Sequence, residues 1–389
     1  MSRGDIMSII GIICEYNPFH NGHLYHIKKV KEIFPNSPII LVMSGNFTQR
    51  GIPSIINKWD KTKLALQYGV DLVIELPFVF ASQSADIFAK GSIELLKELK
   101  VTDIVFGSES NSPKDFINLA NIQLNNKEYD NKVKGYLDKG INYPTAMAKA
   151  LKDISAYTID TPNDLLGLSY TKEIIRQNAS INIHPIKRTV GFHDTIENDS
   201  FASASLIRNK ILNKESINDL VPNKVKNIID NTNLHFIDDY YSLLKYKILT
   251  DNNIEKYHTV DEGIENRIYK HIIKSENIYE LINYIKTKRY TYNKIQRMLT
   301  HILCNFTKEE ARNINNEYIR ILGFSNIGKK HLNKIKKELK LPIIFNYKNG
   351  ISKILDIEFR TTCVYSSILN EKDKIKLIEK ELKEKPFQL

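Results

Sequence analysis

A chain of 389 residues with 42% apolar content can bury a sizeable core, and its length predicts two or three structural units. The formal net charge of +11 favours a polyanionic partner, although the Lys-, Asn- and Ile-rich composition accounts for part of the excess. Cys14, Cys304 and Cys363 are far apart, which excludes a disulfide framework or a paired zinc signature and fits a reducing compartment.

At the N-terminus, the six residues before Met7 read as an extension or alternative start. Nothing there has the layout of a signal peptide, and no run of about 18 apolar residues follows, so the expectation is a cytoplasmic protein without a membrane partner. A β-branched run at residues 8–13 predicts a strand, the turn formers Asn17, Pro18, Asn21 and Gly22 a loop, and residues 23–33 a helix. The alternation continues with strands at 39–43, 71–76 and 103–106 and helices at 58–68 and 85–99. Residues 111–142 are polar, a helix opens at Pro144 and Thr145, and 181–186 reads as another strand. Strands alternating with helices predict an α/β fold, a doubly wound, Rossmann-like parallel sheet.

Beyond about residue 214 amphipathic helical patterns dominate, among them 254–274 and 276–285, with few strand signals until 341–345. The expected organisation is the extension at 1–6, an α/β catalytic unit at 7–213 and a mostly helical, basic unit at 214–389.

The chemistry concentrates in the first strand-loop-helix unit, whose loop reads Glu15-Tyr16-Asn17-Pro18-Phe19-His20-Asn21-Gly22-His23-Leu24. A helix N-terminus after a parallel strand offers amide donors and partial positive charge to phosphate. His20 and His23 can aim imidazole donors at one phosphate group, and Gly22 leaves room for a close approach. Two histidines three apart can also ligate a metal, but no nearby cysteine or acidic pair supplies a third ligand, so no protein metal site is expected.

His20-Asn21-Gly22-His23 resembles the signature of the HxGH nucleotidylyltransferase superfamily, in which it follows the first strand. Such enzymes also carry a later Ser/Thr-rich segment ending in Ile-Arg, matched here by Phe201-Ala202-Ser203-Ala204-Ser205-Leu206-Ile207-Arg208. Residues 11–26, 43–51, 71–77 and 106–109 are similar to the tRNA(Met) cytidine acetate ligase family. So are Pro162-Asn163, Lys187-Arg188, residues 203–208 and 286–299, and Leu322-Gly323-Phe324. Cys14 stands where the family pattern leads one to expect a small aliphatic residue.

That resemblance implies an ATP-dependent ligase that makes acetyl-adenylate and transfers acetyl to N4 of the wobble cytidine of elongator tRNA(Met). ATP is then expected against residues 15–24 together with Ile13, Cys14, Tyr25, His26, Gly107, Asn163 and Arg188. His20 and His23 would stabilise the pentacoordinate phosphorus as acetate attacks, Ser203, Ser205 and Arg208 would hold the leaving pyrophosphate, and Mg²⁺ would offset its charge. For the tRNA, the expected contacts are Lys286, Lys288, Arg289, Lys294 and Arg297, interleaved with Tyr290 and Tyr292, whose rings can stack an unpaired base. A second basic helix carries Lys329, Lys330, Lys334, Lys336, Lys337 and Lys340, and no obligate protein partner is expected. The competing readings are an adenylyltransferase acting on a phosphorylated cofactor precursor and a non-enzymatic tRNA-binding protein.

Overall fold

The apolar run after Ile9 forms β1 (Ile10–Cys14), and it lies inside the sheet rather than at an edge, because it is bracketed by other parallel strands. In this computed structural model, which describes residues 8–155, 159, 161–187 and 201–389, seven further strands join it. They are β2 (Ile39–Ser44), β3 (Leu72–Leu76), β4 (Asp103–Ser108), β5 (Asn182–Lys187), β6 (Ile319–Phe324), β7 (Ile343–Ile344) and β8 (Phe387–Gln388). The order is β5-β4-β1-β2-β3-β6-β7, with β8 also paired to β6. β5 through β3 run parallel, with Ile10 opposite Ile39 and Ile40 opposite Leu72. Every residue of β2 and β3 is buried, as helices on both faces of a parallel sheet require. After β3 the chain crosses back to the other side of β1, so a topological switch point opens between β1 and β4, where an α/β sheet binds its ligand.

The five strands expected up to residue 186 are present. The polar stretch 111–142 contains two helices, Pro113–Asn125 and Lys127–Asp138, each opened by a side-chain cap from Ser112 or Asn126. The long pattern at 254–274 is broken: a short 3₁₀ turn, Ile254–Lys256, precedes a helix Ile264–Ile272 whose start is set by Gly263 at φ +79°.

The larger departure is β6, which residues 319–324 do not advertise as a strand. It pairs antiparallel with β3, Leu72 facing Phe324, so the sheet draws on chain from both sides of residue 214. Residues 237–303 build a helical core of their own around Ile268, Ile282 and Leu299, while Phe306, Ile319, Leu355 and Tyr365 return to the sheet core. Arg320, the second residue of β6, is fully buried between Glu75 at 3.2 Å and Glu381 at 2.5 Å, and Lys58 reaches the same two carboxylates. With Glu358 the cluster holds three acids against two bases. Burial first, and the Glu75 charge second, push the Glu358 carboxyl up to about 8, which favours its neutral form and lessens the cluster's excess of negative charge. For Lys58, burial works against the ammonium, but the carboxylates of Glu381 and Glu75 outweigh it and raise its pKa.

The helical unit docks on the loop after β2. Gln296 Nε2 donates to the Arg50 carbonyl at 2.7 Å, Thr300 Oγ1 to that of Gly51, and the His301 ring meets the Ser82 carbonyl at 2.8 Å. Gly51 sits at φ +74°, and a Cβ there would lie 2.6 Å from the Arg297 Cα. Among the described residues, no helix is long and apolar enough to cross a membrane.

Candidate active site

Between β1 and the helix Asn21–Ile33 the chain turns through residues 15–20, and the His20 side chain caps the helix itself. His20 Nδ1 accepts the Gly22 N–H at 3.1 Å, and His23 Nδ1 accepts the His20 N–H at 3.2 Å. Each neutral ring therefore carries its proton on Nε2. The rings stack at 3.7 Å and 27°, so the two imidazoles form one rigid unit at the positive end of a helix.

The loop is clamped from several directions. Asn17 accepts the Ile55 N–H at 2.7 Å, and the Glu15 carboxylate accepts the Gln49 N–H at 2.5 Å. Lys61 donates to the carbonyls of Glu15, Ser44 and Gly45 at 3.0, 2.8 and 2.8 Å, tying the ends of β1 and β2 together. Burial lowers its pKa to about 7 against the opposing pull of Glu15.

The Ser-rich segment comes to the same place. Ser203 caps the helix Ala204–Leu212 by accepting the Leu206 N–H at 3.2 Å. Arg208 spans the two segments, donating from Nη1 to the Asn17 carbonyl at 2.6 Å and from Nη2 to Ser205 at 3.2 Å. Burial lowers the Arg208 guanidinium to about 10 against the pull of Glu15, with Arg50 adding like-charge repulsion, and it stays cationic at neutral pH.

These groups wall a cavity of about 820 Å³. Ile13 through Asn17, His20, Gly22, His23, Tyr25 and His26 line it from the first unit; Ser203, Ser205 and Arg208 line it from the second, and Gly107 and Asn163 lie along its wall. Asn163 Nδ2 donates to Glu109 at 2.7 Å, and the Asp164 carboxylate holds the Ser108 hydroxyl and the Glu109 and Ser110 amides, fixing the loop after β4.

Four residues of the expected nucleotide segment face elsewhere. Phe19 is buried and stacked on Tyr68 at 5.0 Å, Leu24 packs on the sheet core, and Pro18 is not among the cavity walls. Asn21 reaches away, its amide to the Leu220 carbonyl and its side chain to that of Asp219. Arg188 lies outside the described residues.

In the helical unit, Lys286, Lys288 and Arg289 occupy the turn between helices Ile278–Ile285 and Tyr292–Leu303, and the exposed Arg289 faces Glu262 at 3.5 Å. Tyr290 is not open to a base: it is 4% exposed, bonds the Asp261 carbonyl at 2.6 Å, and has Lys294 over its ring at 3.9 Å. Arg297 turns inward and lines the cavity. Its guanidinium is lowered to about 10 by burial first and by Arg50 second. Sequence reasoning missed Arg50 as a cavity residue; it stands in the family-like stretch 43–51, and that context was the available signal. Arg50, Arg208 and Arg297 thus converge on one cavity and Arg50 repels the other two, an arrangement that an anion stabilises. Among the described residues, no three His, Cys, Asp or Glu side chains gather to hold a metal ion.

A family model described as HIGH Nucleotidyl Transferase matches residues 7–381. The tRNA(Met) cytidine acetate ligase of Clostridium novyi (strain NT) is 40% identical, over 93% of this chain and 96% of its own length. That of Geobacillus sp. (strain WCH70) is 39% identical, over 98% of this chain and all of its own. The crystal structure of Thermotoga maritima TmcAL in its apo form superposes with a TM-score of 0.90 at 30% identity, covering 98% of this chain and 100% of that one. The same protein bound with alpha-thio ATP gives 0.88 at 31% identity, with the same coverage.

Proposed function

The chain belongs to the tRNA(Met) cytidine acetate ligase family of HIGH nucleotidyl transferases, and from that premise we propose that it activates acetate with ATP and acetylates N4 of the wobble cytidine of elongator tRNA(Met) in the cytoplasm. The observation that carries the reading is a single cavity in which the stacked His20–His23 pair and the Asn17-anchored Arg208 face one another's segments.

Acetate attacks the α-phosphorus in line and pyrophosphate leaves, so negative charge grows on the non-bridging oxygens. The Nε2–H donors of His20 and His23 meet that charge; because their Nδ1 atoms are already held by backbone amides, they need no reorganisation during the reaction. Ser203, Ser205, Arg208 and the helix start at Ala204 take the pyrophosphate, while Gly107, Asn163 and Arg188 take the adenosine side. Among the described residues no three His, Cys, Asp or Glu side chains gather as a metal site, so magnesium would enter as the counterion of ATP, and no step is routed through it. Lys286, Lys288, Arg289 and Lys294 supply phosphate contacts to tRNA, whereas Arg297 belongs with the cavity.

An adenylyltransferase acting on a cofactor precursor would need only the α/β part, whereas the ligase relatives align through the helical unit as well. The test is mass spectrometry of nucleosides from an elongator tRNA(Met) transcript incubated with the protein, ATP, Mg²⁺ and acetate, with His23→Ala as control. N4-acetylcytidine in the wild-type sample alone is the expected result. Its absence, with acetate-independent pyrophosphate exchange, would overturn the ligase reading.

A further inference from the structure

The second half-reaction needs a group that receives the cytidine amine, and the histidine-arginine machinery does not supply one. The same cavity is also lined by a second cluster. Asp86, in the first turn of helix Ala85–Glu98, lines it with its side chain 35% exposed. Its Oδ1 is fixed from two sides: Lys172 Nζ lies at 2.7 Å and Ser169 Oγ at 3.1 Å. Lys172 is almost fully buried and its ammonium pairs with that oxygen, while among the described residues Oδ2 receives no hydrogen bond. An oriented carboxylate with one oxygen anchored and the other facing a cavity is equipped to take a proton.

Tyr143 stands in the same wall and is 53% exposed. Its hydroxyl is pushed above its ordinary range by burial first and by the Asp86 carboxylate second, which places the two residues within electrostatic reach. Tyr143 opens a helix capped by Asn142, and Asn142 Nδ2 reaches across to the Lys288 carbonyl at 3.3 Å. The aromatic platform therefore adjoins the basic turn 286–289.

We propose that this part of the cavity is the cytidine subsite: the unpaired base stacks on Tyr143 and presents N4 to Asp86 Oδ2, which acts as general base. The inference rests on the ligase reading above. In the step, the N4 lone pair attacks the acetyl carbonyl of acetyl-adenylate and a C–N bond forms. The C–O bond to the phosphate breaks, AMP leaves with that electron pair, and one N4 proton passes to Asp86 and then to solvent. Because Asp86 only accepts, a uridine, which presents the acceptor O4 in place of the amine, is rejected.

The experiment separates the two half-reactions in Asp86→Asn. Acetate-dependent ATP–pyrophosphate exchange is expected within about threefold of wild type, while single-turnover acetyl transfer to tRNA falls by roughly 10²- to 10⁴-fold; Asp86→Glu recovers part of the rate. Transfer at the wild-type rate, or equal losses in exchange and transfer, overturns the assignment. Because losing the carboxylate leaves Lys172 buried without its partner, Tyr143→Ala, a change at an exposed ring, provides the independent arm. It is expected to raise the tRNA KM by roughly 5- to 100-fold with exchange unaltered, and an unchanged KM removes the stacking platform. A wild-type protein that makes no acetylcytidine fails at the ligase reading, before any variant is compared.

Discussion

Gly22→Ala isolates the histidine geometry from the fold. A methyl added at Gly22 would lie 2.9 Å from His20 Cε1 and 3.0 Å from His20 Nδ1, distances that oblige the ring to move. The backbone itself does not resist: Gly22 lies in the first turn of a helix and is not among the positive-φ residues, and Ala there gains about 0.5–1 kcal/mol in helix propensity. The strain therefore falls on an imidazole that is 8% exposed and stacked at 3.7 Å on His23. Moving it breaks the bond from the Gly22 amide that sets its tautomer. Loss of one preorganised donor at the developing charge costs about 2.7–4 kcal/mol, or roughly 10²- to 10³-fold in turnover. The assay is acetate-dependent pyrophosphate exchange at saturating ATP, paired with a thermal melt. Exchange within about threefold of wild type would refute the reasoning, and so would a collapse in Tm, which would mean that the helix, not the ring, absorbs the clash.

Arg208→Lys keeps the charge but loses the fork that spans the Asn17 carbonyl and Ser205; with charged hydrogen bonds at about 1.5–3 kcal/mol, exchange should drop roughly 10- to 150-fold, and steady-state kinetics will show it. Gly51→Ala should lower Tm by more than Gly350→Ala. Both positions have φ near +75° and share a strain of about 1–3 kcal/mol, but only at Gly51 does the new methyl meet the backbone of Arg297. Equal shifts in the two melts would remove that contact from the docking of the helical unit. For Glu358, whose folded pKa is raised from 4.5 to about 8, the proton binds more tightly to the folded state. Its stabilisation is complete below the unfolded pKa and fades as pH rises through the folded one. Glu358→Gln should therefore flatten the decline of urea stability between about pH 5 and about pH 8, and parallel wild-type and variant profiles would contradict it.

The sequence by itself determined the parallel α/β framework and the first site loop, because both are local. β-branched runs alternating with helices report burial on both sides, and His20, Gly22 and His23 lie within one helical turn, so their spacing already fixes that they meet. The Ser203–Arg208 partnership was legible only through the family resemblance, since its bond to Asn17 spans 191 residues. Tertiary structure decided the rest. β6 was missed because Arg320, its second residue, reads as surface until Glu75 and Glu381, far away in the chain, are brought around it. The basic stretch 286–297 carries no mark separating an outward lysine from an inward arginine, and Arg297 enters the cavity only because its helix docks on Gly51. Tyr290 and Tyr143 make the same point in opposite directions: one tyrosine is buried under Lys294, the other is exposed in the cavity wall, and only packing tells them apart.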